Sequence, residues 1–158
     1  KIRVGQTAIM MDTIRALGAS PTAVSYAELY SALQAGVVDG AENPITAYLN
    51  NKFYEVGKYY TLDGHVFSPS IIVMSEATAK KLSPEDLKLV TEAAVEAGQR
   101  VRQSVEKREA DAAAQLKAKG TVITDITDKK PWQDAVKPVV EKYGANYKKL
   151  VDQIQSTQ

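Results

Sequence analysis

Lys1-Ile-Arg-Val4 opens the chain, and Ser25-Tyr-Ala-Glu-Leu-Tyr-Ser-Ala-Leu-Gln-Ala-Gly-Val-Val-Asp-Gly-Ala-Glu-Asn-Pro44 follows about twenty residues later. Arg3 sits between apolar neighbours on a short extended segment, so its guanidinium is partly dehydrated. Such a group calls for a planar, doubly accepting anion, and a carboxylate fits it best. The second stretch adds an aromatic ring at Tyr26 and an amide at Asn43, the other parts of a small-acid pocket. Ser25 with Glu28 three residues on reads as a capping box opening a helix. Gly36 closes that helix, Val37 to Ala41 reads as a short buried strand, and Pro44 pushes Asn43 into extended geometry.

Outward from these stretches the pattern alternates strand and helix. Lys1 to Thr7 reads as a strand, Ala8 to Leu17 as a helix ended by Gly18, and Ala23-Val24 as a short extended piece. A helix is expected over Ile45 to Tyr54. Thr61 to Ser75 reads as a longer β segment in which Pro69 demands an edge, a bulge or a change of direction. Ser83-Pro-Glu-Asp86 starts a helix with cap, proline and acids in the first turn. Apolar residues then recur from Leu87 to Leu116, and Gly120 stops the pattern. A helix of that length is about 50 Å long, whereas a compact chain of this size has a radius of gyration of about 15 Å. The helix must therefore bridge two lobes, bend near Gly98, or project. Thr121 to Ile126 reads as a strand, Trp132 to Tyr143 as an amphipathic helix, and Ala145 to Gln155 as helical.

Composition excludes several functions. The 158 residues carry a net charge of +1, no cysteine and one histidine, His65. No strong positive field points to nucleic acid. Disulfides, thiolate metal sites and cysteine nucleophiles are out, as is a histidine-based metal cluster. Asp39, Glu42 and Asp63 match no calcium-loop spacing. No apolar run approaches a membrane span. Lys1 falls inside a strand, which reads as a processed or truncated N-terminus. His65, with Asp63 and Ser68 beside it, lacks a nucleophile-elbow context for a hydrolytic triad.

Taken in order, Lys1-Ile-Arg-Val4, Leu17-Gly-Ala-Ser-Pro-Thr22, Tyr26-Ala-Glu-Leu-Tyr30, Gly36-Val-Val-Asp-Gly40, Glu42-Asn-Pro44, Lys52-Phe-Tyr-Glu-Val56 and Leu82-Ser-Pro-Glu-Asp86 closely resemble the solute-binding proteins of TRAP transporters, of the DctP type. The resemblance covers nearly the whole chain but only the C-terminal part of that family. It implies an α/β fold: a periplasmic binding protein-like lobe with a long lobe-bridging helix, incomplete relative to the two-lobe family fold. Residues 1–66 would begin the carboxylate-binding lobe, 67–108 would belong to the other lobe with the first half of the long helix, and 109–158 would return. The resemblance further implies periplasmic capture of a small organic acid, such as a C4-dicarboxylate or sugar acid, and delivery to a TRAP membrane permease, without chemistry or cofactor. Arg3 would salt-bridge the ligand carboxylate, Tyr26 pack on the ligand, and Asn43 hydrogen-bond the carboxylate. Gln6 is a further contact, and Glu42 a neighbour able to pair with Arg3. Tyr26 stands where many members have Phe, which adds a hydroxyl. Ala41 and Ala79 also depart from common family residues. Exposed edges of the incomplete fold would favour self-association. The competing readings are a stand-alone interaction module that keeps the fold without ligand capture, and a hydrolase using His65.

Overall fold

The computed structural model describes residues 1–157. Three short parallel strands form the first sheet: β1 (Ile2–Val4), β2 (Pro21–Ala23) and β3 (Gly40–Ala41), in the order β2-β1-β3. Arg3 is in register with Thr22 on one side and Ala41 on the other. Helix α1 (Ala8–Ala16) connects β1 to β2, and α2 (Leu29–Gln34) connects β2 to β3. Because β1 is central, the chain crosses it between β2 and β3, and the connection changes direction at the β1/β3 junction.

The region after β3 winds through α3 (Ile45–Asn50) into β4 (Tyr59–Leu62), which pairs in parallel with β5 (Val122–Asp125). Between β4 and β5 lie a single-turn helix, α4 (Glu76–Ala79), and the 35-residue α5 (Pro84–Ala118). Ser83 Oγ accepts from the Asp86 N–H at 3.0 Å and so caps α5. Gly120, at φ +84°, supplies the left-handed turn that ends it. Helices α6 (Lys130–Gly144) and α7 (Lys148–Ser156) close the chain. Asp12 on α1 ties α6 down: it accepts from Lys142 Nζ at 2.7 Å and Tyr143 Oη at 2.8 Å, and these partners hold its pKa down at about 2.

The main core gathers Leu29, Ala32, Val38, Ile45, Tyr48 and Phe53 against Ala112 and Leu116 of α5. Val4 is buried as well. Only the C-terminal end of α5 takes part. From Pro84 to Asp111 every residue is exposed save Ala94 and Gly98, which are half-buried. α5 does not bend at Gly98: it runs unbroken and projects from this core, as a helix that bridges to a second lobe would. No helix of the described residues is long and apolar enough to cross a membrane.

Several local expectations are corrected. The strand read over Val37–Ala41 shrinks to Gly40–Ala41, because Val37 and Val38 bond back to the Ala32 carbonyl at the end of α2. The helix expected to Tyr54 stops at Asn50. Lys52 adopts φ +56°, and a 3-10 turn over Phe53–Glu55 follows. The β segment expected over Thr61–Ser75 ends at Leu62, and no regular element forms again before Glu76. Phe67 in that stretch is 91 % exposed, with Ile71, Ile72 and Val73 also exposed. Ser25 bonds the Glu28 carboxylate side chain to side chain at 2.7 Å instead of capping a backbone N–H, and the first turn is 3-10 over Tyr26–Glu28.

Candidate functional site

The three parallel strands end side by side, and candidate residues lie just beyond each of them. Gly5 and Gln6 succeed β1, Val24 to Tyr26 succeed β2, and Glu42-Asn43 succeed β3. In open parallel sheets, ligands bind outside the carboxyl ends of strands where the connection direction reverses. Here that point is the end of β1 beside β3.

Arg3 is 8 % exposed. Its Nε–H donates to the Val24 carbonyl at 2.9 Å, which fixes the plane of the guanidinium against β2. Its Cζ lies 5.6 Å from the centroid of the Tyr26 ring, a cation–π distance. Among the described residues no carboxylate lies within salt-bridge distance of it. The two terminal nitrogens have no hydrogen-bond acceptor there either. A nearly buried cation is costly unless paired. The fork that Arg3 presents at the strand end is shaped for two oxygens in one plane.

Tyr26 is 44 % exposed, and its ring meets Phe53 edge-on at 6.1 Å and 80°. Its hydroxyl accepts from Asn51 Nδ2 at 2.9 Å. The ring thus shows one open surface beside the guanidinium. Asn43 sits at the same end of the sheet. Its carbonyl accepts from Tyr60 Oη at 2.7 Å, while its Nδ2 is buried without a partner. That is a donor awaiting an acceptor, since buried amides are normally bonded.

Glu42 is half-buried, and burial pushes its pKa up against the opposing pulls of His65, Arg3 and the Gly5 N–H. It does not pair with Arg3 at salt-bridge distance. Gln6 is exposed on the loop between β1 and α1, with no hydrogen bond to the others among the described residues. The structure therefore sets Arg3 and Tyr26 against each other and places Asn43, Glu42 and Gln6 at the same strand ends, Gln6 exposed and unbonded to the others among the described residues.

One brace escaped the sequence reading, while the His65–Asp63 neighbourhood it singled out forms a hydrogen bond. Tyr60 braces Asn43 from seventeen residues away, and burial lifts its pKa to about 12, so it stays a neutral donor. His65 Nδ1 is 2.7 Å from Asp63 Oδ1, and its Nε2 is buried without a partner. Ser68 is exposed and makes no bond to His65 among the described residues, so the triad geometry of the hydrolase reading does not form.

The sheet places an arginine without a carboxylate partner at its switch point. The sequence profile of the bacterial extracellular solute-binding protein family 7 (DctP) matches residues 1–146, and the chain belongs to that family. It is 33 % identical over 146 residues to the sialic acid-binding periplasmic protein SiaP of Vibrio cholerae, covering 92 % of this chain and 45 % of SiaP. It is likewise 33 % identical over 165 residues to the 2,3-diketo-L-gulonate-binding periplasmic protein YiaO of Escherichia coli, covering 98 % of this chain and 49 % of YiaO. Among solved structures, a TRAP periplasmic solute-binding protein of Pseudomonas putida F1 with bound D-glucuronate superposes with a TM-score of 0.89 at 40 % identity. That match covers 99 % of this chain and 51 % of the other. The chain spans about half the length of the curated relatives it matches. The resemblance drawn from the sequence and the α/β binding-protein fold it implied are both upheld.

Proposed function

We propose that this chain forms the carboxylate-gripping part of a periplasmic protein that captures a small organic acid for a TRAP membrane permease. The observation that carries the reading is Arg3: a residue 8 % exposed, its guanidinium braced through Nε, with its terminal nitrogens unpaired. Arg3 would take both carboxylate oxygens, the Asn43 amide would share one, and the Tyr26 ring would lie along the ligand body. Glu42 borders the carboxylate, and Gln6, exposed just beyond β1, is a further contact. The group performs binding alone, with no bond made or broken. Relatives that hold D-glucuronate or sialic acid support an acidic, oxygen-rich guest.

The division into 1–66, 67–108 and 109–158 belongs to the same proposal. Residues 67–73 and the first two thirds of α5 expose an apolar strip that this core does not cover. A second lobe meeting that strip would complete the cleft. Ligand touching both lobes only when they close is the differential affinity that drives closure. The same strip favours self-association of the chain by itself, and it would also serve the alternative reading, a protein-interaction module without ligand capture.

Calorimetry of the chain with D-glucuronate, succinate and the neutral sugar D-glucose tests the reading. An acid should bind and glucose should not. Glucose binding as well as the acids, or no acid binding at all, would overturn it.

A further inference from the structure

We infer that the Tyr26 hydroxyl, with its proton aimed by Asn51, is a specificity-determining donor that makes the Arg3 site prefer oxygen-bearing acids to alkyl acids. This rests on the carboxylate reading above. Asn51 is the last residue before the chain turns through Lys52 at φ +56°. Its Nδ2 lies 2.9 Å from the Ala47 carbonyl and 2.9 Å from Tyr26 Oη. A carbonyl only accepts, so the end of the amide facing Ala47 is the NH2, and its second hydrogen goes to Tyr26. The phenol oxygen therefore accepts from Asn51 and keeps one proton of its own to donate. Among the described residues nothing accepts that proton.

The same turn fixes the ring. Phe53, 3 % exposed, follows Asn51 by two residues and meets the Tyr26 ring edge-on. Held at the hydroxyl by Asn51 and at the ring by Phe53, Tyr26 cannot swing away freely. The residue is 44 % exposed, with the guanidinium 5.6 Å from the ring centroid and the hydroxyl at the ring's far end. A carboxylate seated on Arg3 with a ring-sized body lying along Tyr26 brings the body's far atoms towards that O–H. An oxygen there gains a hydrogen bond; a methylene there strips water from the donor and leaves it unpaired. Asn51 is a positioning residue: it touches no ligand and acts through the direction of the tyrosine proton.

The experiment compares D-glucuronate with cyclohexanecarboxylate, an acid of similar ring size without hydroxyls, by calorimetry on the full chain. The readout is the ratio of the two affinities, which a general loss of folded protein does not move. Tyr26→Phe should lower the ratio about fivefold, the worth of one typical hydrogen bond. Asn51→Asp should lower it as much with the hydroxyl still present, because a carboxylate accepts and draws the tyrosine proton to itself. Arg3→Met should remove binding of both acids. A ratio unchanged in Tyr26→Phe or in Asn51→Asp would overturn the inference and leave the carboxylate reading standing. Binding of both acids that survives Arg3→Met would overturn the carboxylate reading, and the inference with it.

Discussion

Replacing Arg3 by Met separates holding the fold from holding a ligand. The arginine gives the folded chain one neutral acceptor, the Val24 carbonyl at 2.9 Å, and stacking on Tyr26 at 5.6 Å. Those are worth about 1–3 kcal/mol together. Against them stands the partial desolvation of a cation with no carboxylate at salt-bridge distance, a cost reduced because its terminal nitrogens still reach solvent. Met has a similar reach, no charge, and fits an irregular apolar gap. The Arg3→Met chain should therefore be as stable as the wild type or more stable, by up to about 2 kcal/mol, within the range seen when buried ions give way to apolar groups. Acid binding should fall in the opposite direction. Two charge-assisted hydrogen bonds at about 1.5–3 kcal/mol each amount to roughly a hundredfold to ten-thousandfold loss of affinity. Urea denaturation followed by circular dichroism reads the first quantity and calorimetry the second. Destabilisation by more than about 2 kcal/mol, with acid affinity kept, would show that Arg3 is a structural strut and would refute the reasoning.

The other two predictions concern α5 and Glu42. Leu116→Ala, at a fully buried position, should cost about 2–5 kcal/mol, while Leu89→Ala on the same helix, at 65 % exposure, should stay within about 0.5 kcal/mol; equal costs in urea denaturation would mean that the projecting part of α5 is packed in solution. Burial raises the pKa of Glu42, so the folded chain holds that proton more tightly than the unfolded one. Its contribution to stability is then fullest below the ordinary glutamate range and declines as pH rises through the raised value. Falling pH also removes a negative charge beside the carboxylate guest, so D-glucuronate affinity should rise as pH falls from neutrality through the raised Glu42 value, up to about tenfold for each unit by which the guest lifts the Glu42 pKa. Calorimetry across that range should give a flat profile for Glu42→Gln, and an equally flat wild-type profile would contradict the assignment.

What the sequence made legible was local or periodic. Ser83 with Asp86, and Gly120, mark the ends of α5 because caps and left-handed turns are chosen by single residues. Short apolar runs and helical stripes marked individual strands and helices, while the joint role of Arg3, Tyr26 and Asn43 came from the family resemblance; the parallel pairing that brings their strand ends together was not read from the pattern. The segment 63–75 was misread because Phe67, Ile71, Ile72 and Val73 carry a strand's composition without a strand to pair with. Pattern reports apolar residues, not whether a neighbour exists. The end of α3 was misread because Lys52, a good helix former, takes a positive φ that its side chain does not advertise. Tyr60 bracing Asn43 and Asn51 bracing Tyr26 span seventeen and twenty-five residues, distances at which no spacing rule operates.

These misreadings and the site have one physical origin. A strand of two or three residues cannot hold its own geometry, so β1 and β3 depend on the turns that succeed them. Each candidate ligand contact is accordingly positioned by a partner outside the sheet or at its edge: Val24 for Arg3, Asn51 and Phe53 for Tyr26, Tyr60 for Asn43. Those braces hold the Arg3 guanidinium, the Tyr26 ring and the Asn43 backbone before a guest arrives, which reduces the ordering cost of binding. They also leave two donors, the Arg3 fork and the Asn43 amide, without acceptors in the described chain. A sheet end built only for stability would have paired them. Under the proposed function, a carboxylate would supply the acceptors that both donors lack.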